Sequence, residues 1–248
     1  MSAFDSIQGT ISHRNCRRHN SSYTREHAIN TINQRWDALT STSKFVLSPD
    51  YFKYFHLTPS LQSGPTCGIV ALAMISSVCV PSQSSEELLR IAQSLGYTRY
   101  GEMFSAYNML TLIQNTSVIH KFIPKLYDGG LAIRRAEIIK MIMNGALLLI
   151  PYDADRDHSP GLFGGHKAHW GVVCGLILDG ADCLLVGRQG KSLHPTLWPI
   201  DQLDSSNLNL FEIDPQRLSS SKDYVTDNIA CSLRGMYIVL TPINCANK

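Results

Sequence analysis

Hydrophobic residues first become dense at Cys67, and from Ile69 to Ile75 no polar residue interrupts them. Such a run reads as a helix starting at or near Cys67 and stopping before Pro81, because proline cannot continue a helix interior. Apolar all round, it is expected to be buried rather than to lie on a surface. Ser84 followed by Glu87 is a capping-box pattern, and Leu88, Leu89, Ile91, Ala92 and Leu95 continue at helical spacing until Gly96. Further helices are expected over Glu102 to Gln114 and Leu131 to Asn144, the latter closed by Gly145. The period then changes. Ala146 to Ile150 reads as a short buried strand ending at Pro151, followed by a polar loop from Tyr152 to Lys167. His169 to Leu178 and Asp182 to Gln189 read as two strands joined at Asp179-Gly180, and Met236 to Leu240 as a late strand. Helices first and antiparallel strands afterwards describe an α+β protein with one shared core.

Residues 1–47 differ from this body. Ser, Thr, Asn, His and Arg dominate them, with a weak helical pattern through Ala28, Ile29, Ile32 and Trp36. They are expected to form a mobile basic arm carrying one short docking helix, ahead of a single domain over 48–248. At 44% hydrophobic and 17% charged, the 248 residues suit a cored protein. A net charge of +2 gives no field that would select nucleic acid or a membrane surface. No apolar run approaches the roughly 20 residues of a membrane span, and the N-terminus lacks a secretory pattern. Seven scattered cysteines without a CxxC pair favour reduced thiols, hence a cytoplasmic protein.

One cysteine has a special setting. In Gln62-Ser-Gly-Pro-Thr-Cys67-Gly68 a Gly-Pro turn delivers Cys67 to the first turn of the buried helix. Unpaired backbone N–H groups and the helix dipole there favour a thiolate. Gly68 is expected to let a substrate backbone pass. The Gln62 amide and the Cys67 N–H would converge as an oxyanion hole. The plainer reading, a small buried hydrophobe, fits the other six cysteines better than this one.

A thiol nucleophile needs a base. His169 opens a strand that alternation divides into a bulky face (Trp170, Val172, Cys174, Leu176, Leu178) and a face with His169, Gly171, Val173, Gly175 and Ile177. The glycines beside His169 would admit another element or a substrate. Hairpin register decides which neighbour orients the imidazole. A strict two-residue loop brings Arg188 to the His169 face, and one extra residue brings Gln189 with Gly187. Packing favours Gln189. Metal readings fail: Asp153-Ala-Asp155-Arg-Asp157 lacks the glycine and glutamate of a calcium loop, and His158, His166 and His169 lack zinc spacing. The aspartates are expected to shape a loop over the site, with no metal or cofactor.

Gln62-Ser-Gly-Pro-Thr-Cys-Gly-Ile-Val-Ala-Leu, Gly101-Glu-Met-Phe-Ser, Leu148-Leu-Ile-Pro-Tyr-Asp, Gly165-His-Lys-Ala-His-Trp, Arg188-Gln-Gly-Lys-Ser, His194-Pro-Thr-Leu-Trp and Ser206-Asn-Leu-Asn-Leu together resemble the actin maturation protease family, in unchanged order from Leu57 to Leu240. The resemblance implies a papain-like fold and a cytosolic cysteine aminopeptidase that removes the N-acetylated first residue, Met or Cys, of actin. Cys67 would be its nucleophile and His169 its histidine. Gln62 precedes the cysteine by five positions, where papain-like enzymes use six. The proline-rich, profilin-associated segment of some relatives has no counterpart, Pro49 being the first proline, so profilin assistance is not expected. Because actin continues with acidic residues, Lys167, Arg188 and Lys191 are expected to steer it. The competing classes are another thiol hydrolase, such as a deubiquitinase or amidase, and a non-catalytic actin-binding module.

Overall fold

The computed structural model describes residues 23–40, 52–180, 182–219 and 223–243. A helix α1 (Arg25–Thr40) precedes strand β1 (Phe52–Tyr54) and three helices, α2 (Cys67–Ser76), α3 (Ser85–Ser94) and α4 (Ala106–Gln114). Then follow β2 (Phe122–Tyr127), α5 (Arg135–Met143), β3 (Leu147–Ala154), β4 (Pro160–Gly161), β5 (Ala168–Asp179), β6 (Asp182–Gln189) and β7 (Thr196–Pro199). The chain closes with α6 (Ile200–Leu208), the short α7 (Pro215–Leu218) and α8 (Ile229–Ser232), and β8 (Tyr237–Pro242). The strands form one antiparallel sheet in the order β2-β8-β3-β5-β6-β7, with β1 added to β5 and β4 to β3. The class is α+β, as expected.

Alternation along the central strands sends side chains to two cores rather than one. Leu147 and Leu149 of β3 join Ile238 and Leu240 of β8 and the whole apolar body of α2 on one face. Leu148, Ile150 and Tyr152 join Tyr237, Val239, Ile138 of α5 and Leu203 of α6 on the other. With both faces covered, every residue of β3 is buried, which explains its unbroken apolar start. Helix α2 has no polar face because α3 and β5 both pack against it. The Ser84–Glu87 capping box is complete: the Glu87 N–H donates to Ser84 Oγ at 3.2 Å, and the Ser84 N–H to Glu87 Oε2 at 2.7 Å. Gly96 follows α3 at φ +75°, a left-handed position that glycine accepts at no steric cost.

Several expectations are corrected. The strand from Ala146 does not end at Pro151 but runs to Ala154. Pairing with β8 stops at Leu149 and pairing with β4 begins only at Asp153, so at Pro151 β3 has only its β5 neighbour on the ladder, and the missing N–H costs little. The free Pro151 carbonyl accepts from the Asn207 side chain at 2.8 Å. The faces assigned to β5 hold only as far as Cys174. A register shift between Val173 and Gly175 inserts one residue against β6, after which Leu176 turns to the second core and Ile177 to the first. The helix expected from Glu102 begins at Ala106, with the Ser105 side chain accepting from the Asn108 N–H. Strands β2 and β7 and helix α6 were not anticipated.

Helix α1 buries Ala28, Ile32 and Trp36 against the body and lies against β7. The rest of the expected arm, and its boundary at residue 47, fall outside the described residues.

Candidate active site

Helix α2 begins at Cys67 without a side-chain cap: Thr66 directs its hydroxyl to the Ser63 carbonyl at 3.0 Å instead of to the helix. The first-turn amides are therefore left to the sulfur and to the cavity above it. The Gly68 N–H and, from β5, the Trp170 N–H face the thiol and favour its ionised form. Since Trp170 follows His169, the β5 amide that faces the sulfur belongs to the residue next to the imidazole. Cys67 and His169 line one cavity of about 420 Å³, together with Gln62, Glu102, Lys167, Lys191 and Arg217.

Gly68 does not face this space. A Cβ there would meet Met109 Cε at 2.8 Å and the Trp170 ring at 3.1 Å, so this glycine serves helix packing, not substrate passage. The glycine-cleared patch beside His169 admits another element: Trp198 of β7 lies over Gly187 and Gly171, at 2.3 and 2.7 Å from a Cβ placed on each. Tyr152, directly across the ladder from His169, meets its ring edge-on with centroids 5.8 Å apart. Sandwiched this way, His169 is only 4% exposed.

The extra residue in β5 also settles the hairpin. Asp179 pairs with Asp182, yet after the shift Gly171 pairs with Gln189 and Val172 with Arg188. Gln189 thus stands on the His169 face, diagonal to the imidazole. Its side chain faces that ring and favours the protonated imidazole, and its Oε1 accepts from the Lys191 N–H at 2.5 Å. His169 Nε2 itself is buried with no partner of good geometry. Gln62 reaches the cavity with one amide N–H given to the Gly64 carbonyl at 3.0 Å, leaving its second N–H for another acceptor.

Arg188 is the clear exception among the expected residues. It is 1% exposed, absent from the cavity wall, and on the opposite face of the sheet from His169. It is not a steering cation. Lys167 and Lys191 do line the cavity and are exposed, and Arg217 joins them from α7. The sequence reading missed Arg217, although Asp214-Pro215 is a helix-start signature whose Asp214 side chain accepts from the Gln216 N–H at 2.9 Å. Glu102 went unassigned too. Its carboxylate accepts the N–H groups of Arg99, Tyr100 and Val225 at 2.8–2.9 Å, tying together two segments of the wall, and these bonds hold its pKa below the usual value despite burial. Asp153, the first of the loop aspartates, receives the N–H groups of Phe163, Gly165 and Lys167 and so fixes the loop beside the cavity. Among the described residues no group of three or more His, Cys, Asp or Glu is arranged to hold a metal. Nor is any helix among them long and apolar enough to cross a membrane.

Burial dominates the electrostatics. It pushes the Cys67 thiol up, against the Trp170 and Gly68 amides and the charges of Arg217 and Lys191. It pushes His169 down to about 3, with Lys191 acting in the same direction and the Gln189 side chain opposing. These surroundings favour thiol with neutral imidazole, where the sequence pointed to a preformed thiolate.

A cavity whose reactive groups are a helix-start thiol and a strand-start imidazole, served by backbone donors, is a thiol–imidazole site. Residues 57–177 match the C-terminal domain of the actin maturation protease-like family. The actin maturation protease of Danio rerio is 33% identical over 238 residues, covering 81% of this chain and 75% of the relative. That of Homo sapiens is 34% identical over 232 residues, 76% and 65% of the two chains, and that of Drosophila melanogaster 36% over 170 residues, 66% and 60%. The chain belongs to the actin maturation protease family, and it spans about 60–75% of the length of these relatives. A C39-like peptidase structure from Bacillus anthracis aligns at a TM-score of 0.45 and 12% identity over 74% of this chain and 94% of its own, too loosely to argue from.

Proposed function

We propose that this protein is a cysteine aminopeptidase that removes the N-acetylated first residue, Met or Cys, from actin. The observation that carries the reading is the sharing of one cavity by Cys67 and His169. The names of the relatives supply actin as the substrate.

His169 takes the thiol proton as Cys67 Sγ attacks the carbonyl carbon of the acetylated residue. The oxyanion is received by the Cys67 N–H at the uncapped helix start and by the free N–H of Gln62. Collapse breaks the C–N bond, and His169 returns the proton to the departing amine. Water, deprotonated by His169, then cleaves the thioester and releases the acetyl amino acid. Gln189 acts as the positioning residue for the imidazole. Acetylation suits this cavity for a charge reason. Its one lining carboxylate among the described residues, Glu102, is already taken by three backbone N–H groups, so nothing is left to grip an α-ammonium, whereas Lys167, Lys191 and Arg217 would repel one.

Mass spectrometry of actin's N-terminus after incubation tests the reading. Loss of acetyl-Met or acetyl-Cys is expected, and matched peptides with a free α-amine should be cleaved at least about tenfold less efficiently, since like charges disfavour binding. Intact acetylated termini would overturn the proposal. Steering has its own check. Neutralising Lys167 and Lys191 with glutamine is expected to lower kcat/KM several-fold at low salt and to flatten its salt dependence, because exposed charges act through a screened field.

A further inference from the structure

The buried Arg188 has work to do that the proposed reaction does not yet use. Its Nη1 donates to the Leu193 carbonyl at 3.0 Å and its Nη2 to the Tyr54 hydroxyl of β1 at 2.8 Å. Its guanidinium also lies 5.4 Å from the centre of the Tyr23 ring, just before α1. Tyr23 is fixed at the same place by a second contact: its hydroxyl is 3.2 Å from His194 Nδ1, and the two rings meet edge-on at 5.4 Å. Tyr23 and Tyr54, far from each other and from β6 in sequence, therefore meet at Arg188, which holds residue 193, and Tyr23 also holds residue 194.

The other end of that loop is the catalytic end. The Gly190 carbonyl accepts from the Gln62 N–H at 2.7 Å, and a Cβ on Gly190 would meet Gln62 Oε1 at 2.9 Å. The Lys191 N–H donates to Gln189 Oε1, and the Lys191 side chain lines the cavity. Loop 189–193 thus sets both the oxyanion-side glutamine and the imidazole-side glutamine, and it is pinned from behind by Arg188. A planar guanidinium with three separate partners fixes a backbone position in a way that a single ammonium does not.

We infer that Arg188 is a positioning residue for the proposed reaction, and that the N-terminal segment, through Tyr23, completes the clamp that holds loop 189–193 against Gln62 and Gln189. The inference rests on the aminopeptidase reading for its kinetic consequence but not for its structural one. Displacing catalytic groups by about an ångström costs of order 10²-fold in rate with little change in binding. Tyr23→Ala, at a half-buried position, is expected to lower kcat about tenfold or more with KM within about twofold, since a looser loop misplaces groups needed at the transition state. Tyr23→Phe keeps the ring over the guanidinium and should recover most of the loss. Arg188→Lys keeps the charge, loses the fork, and should exceed Tyr23→Ala.

Hydrogen exchange at the Lys191 amide gives an independent readout. It should speed up about tenfold or more in Tyr23→Ala while the amides of β3 stay protected, which marks local opening rather than global destabilisation. Unchanged exchange and unchanged kcat in a folded Tyr23→Ala protein would overturn the inference. If the unaltered protein proves inactive on acetylated peptides, the function fails instead, and the exchange measurement still decides for or against the clamp.

Discussion

Replacing Cys67 by alanine is expected to abolish cleavage of acetylated actin peptides, with kcat falling by about 10⁴–10⁶-fold. No other cysteine among the described residues can substitute. Cys79, Cys174 and Cys183 are buried away from the cavity, and Cys231 is exposed but absent from its wall. His169→Gln should lose nearly as much, since no other residue lining the cavity offers an imidazole, and Gln189 behind it is not a base. The double variant is the informative one. If His169 acts only by handling the proton that Cys67 gives up, removing both should cost scarcely more than removing either, because groups that work as a unit are far from additive. Losses that multiply in the steady-state kinetics would mean that the two groups act separately, and would remove the imidazole from the nucleophile's mechanism. Peptide affinity of the Cys67→Ala protein should stay close to that of the unaltered chain, as the cavity cations and Gln62 are untouched.

The parts of this site that local chemistry dictates were readable from the chain. A Gly-Pro turn followed by seven consecutive apolar residues leaves little choice for where α2 starts, so Cys67 could be placed at a helix N-terminus. The capping box at Ser84 is likewise a local device. The parts decided by other segments were not readable. The bulge at Cys174 changes which β6 residue faces His169, and it lies where β1 crowds β5: a Cβ on Gly175 would sit 2.2 Å from the Lys53 carbonyl oxygen. The same extra residue reverses the faces of the outer half of β5. Arg188 looked like surface charge because a basic residue beside a glutamine and a glycine gives no sign of burial. Its burial depends on Tyr23 and Tyr54, more than 130 residues upstream. Pro151 looked like a strand end because sequence does not show that β8 has already left that side of the ladder. Short strands such as β7, Thr196–Pro199, carry too few residues for alternation to stand out.

A second large effect is expected in acid. In the fold His169 gains its proton only at about 3, whereas a histidine in the unfolded chain titrates near 6.5. Between those values the unfolded state holds a proton that the folded state refuses, so stability falls as pH drops, by about 1.4 kcal/mol per pH unit once the window is entered. From pH 6.5 to 5, above the carboxylate range, the protein should therefore lose up to about 2 kcal/mol more than His169→Gln in denaturant unfolding. Burial also lowers His56 and His158, and both remain in the variant, so the difference isolates His169. The difference counts protons and not their address: thiol with imidazole and thiolate with imidazolium hold one each and give the same slope. Cys67→Ala separates the causes. If desolvation between Tyr152 and the cavity wall keeps His169 neutral, the acid slope persists when the sulfur is gone. If the slope instead vanishes in Cys67→Ala, it was the shared proton of a sulfur–imidazole pair that kept the second proton out, and the preformed ion pair is the resting state after all.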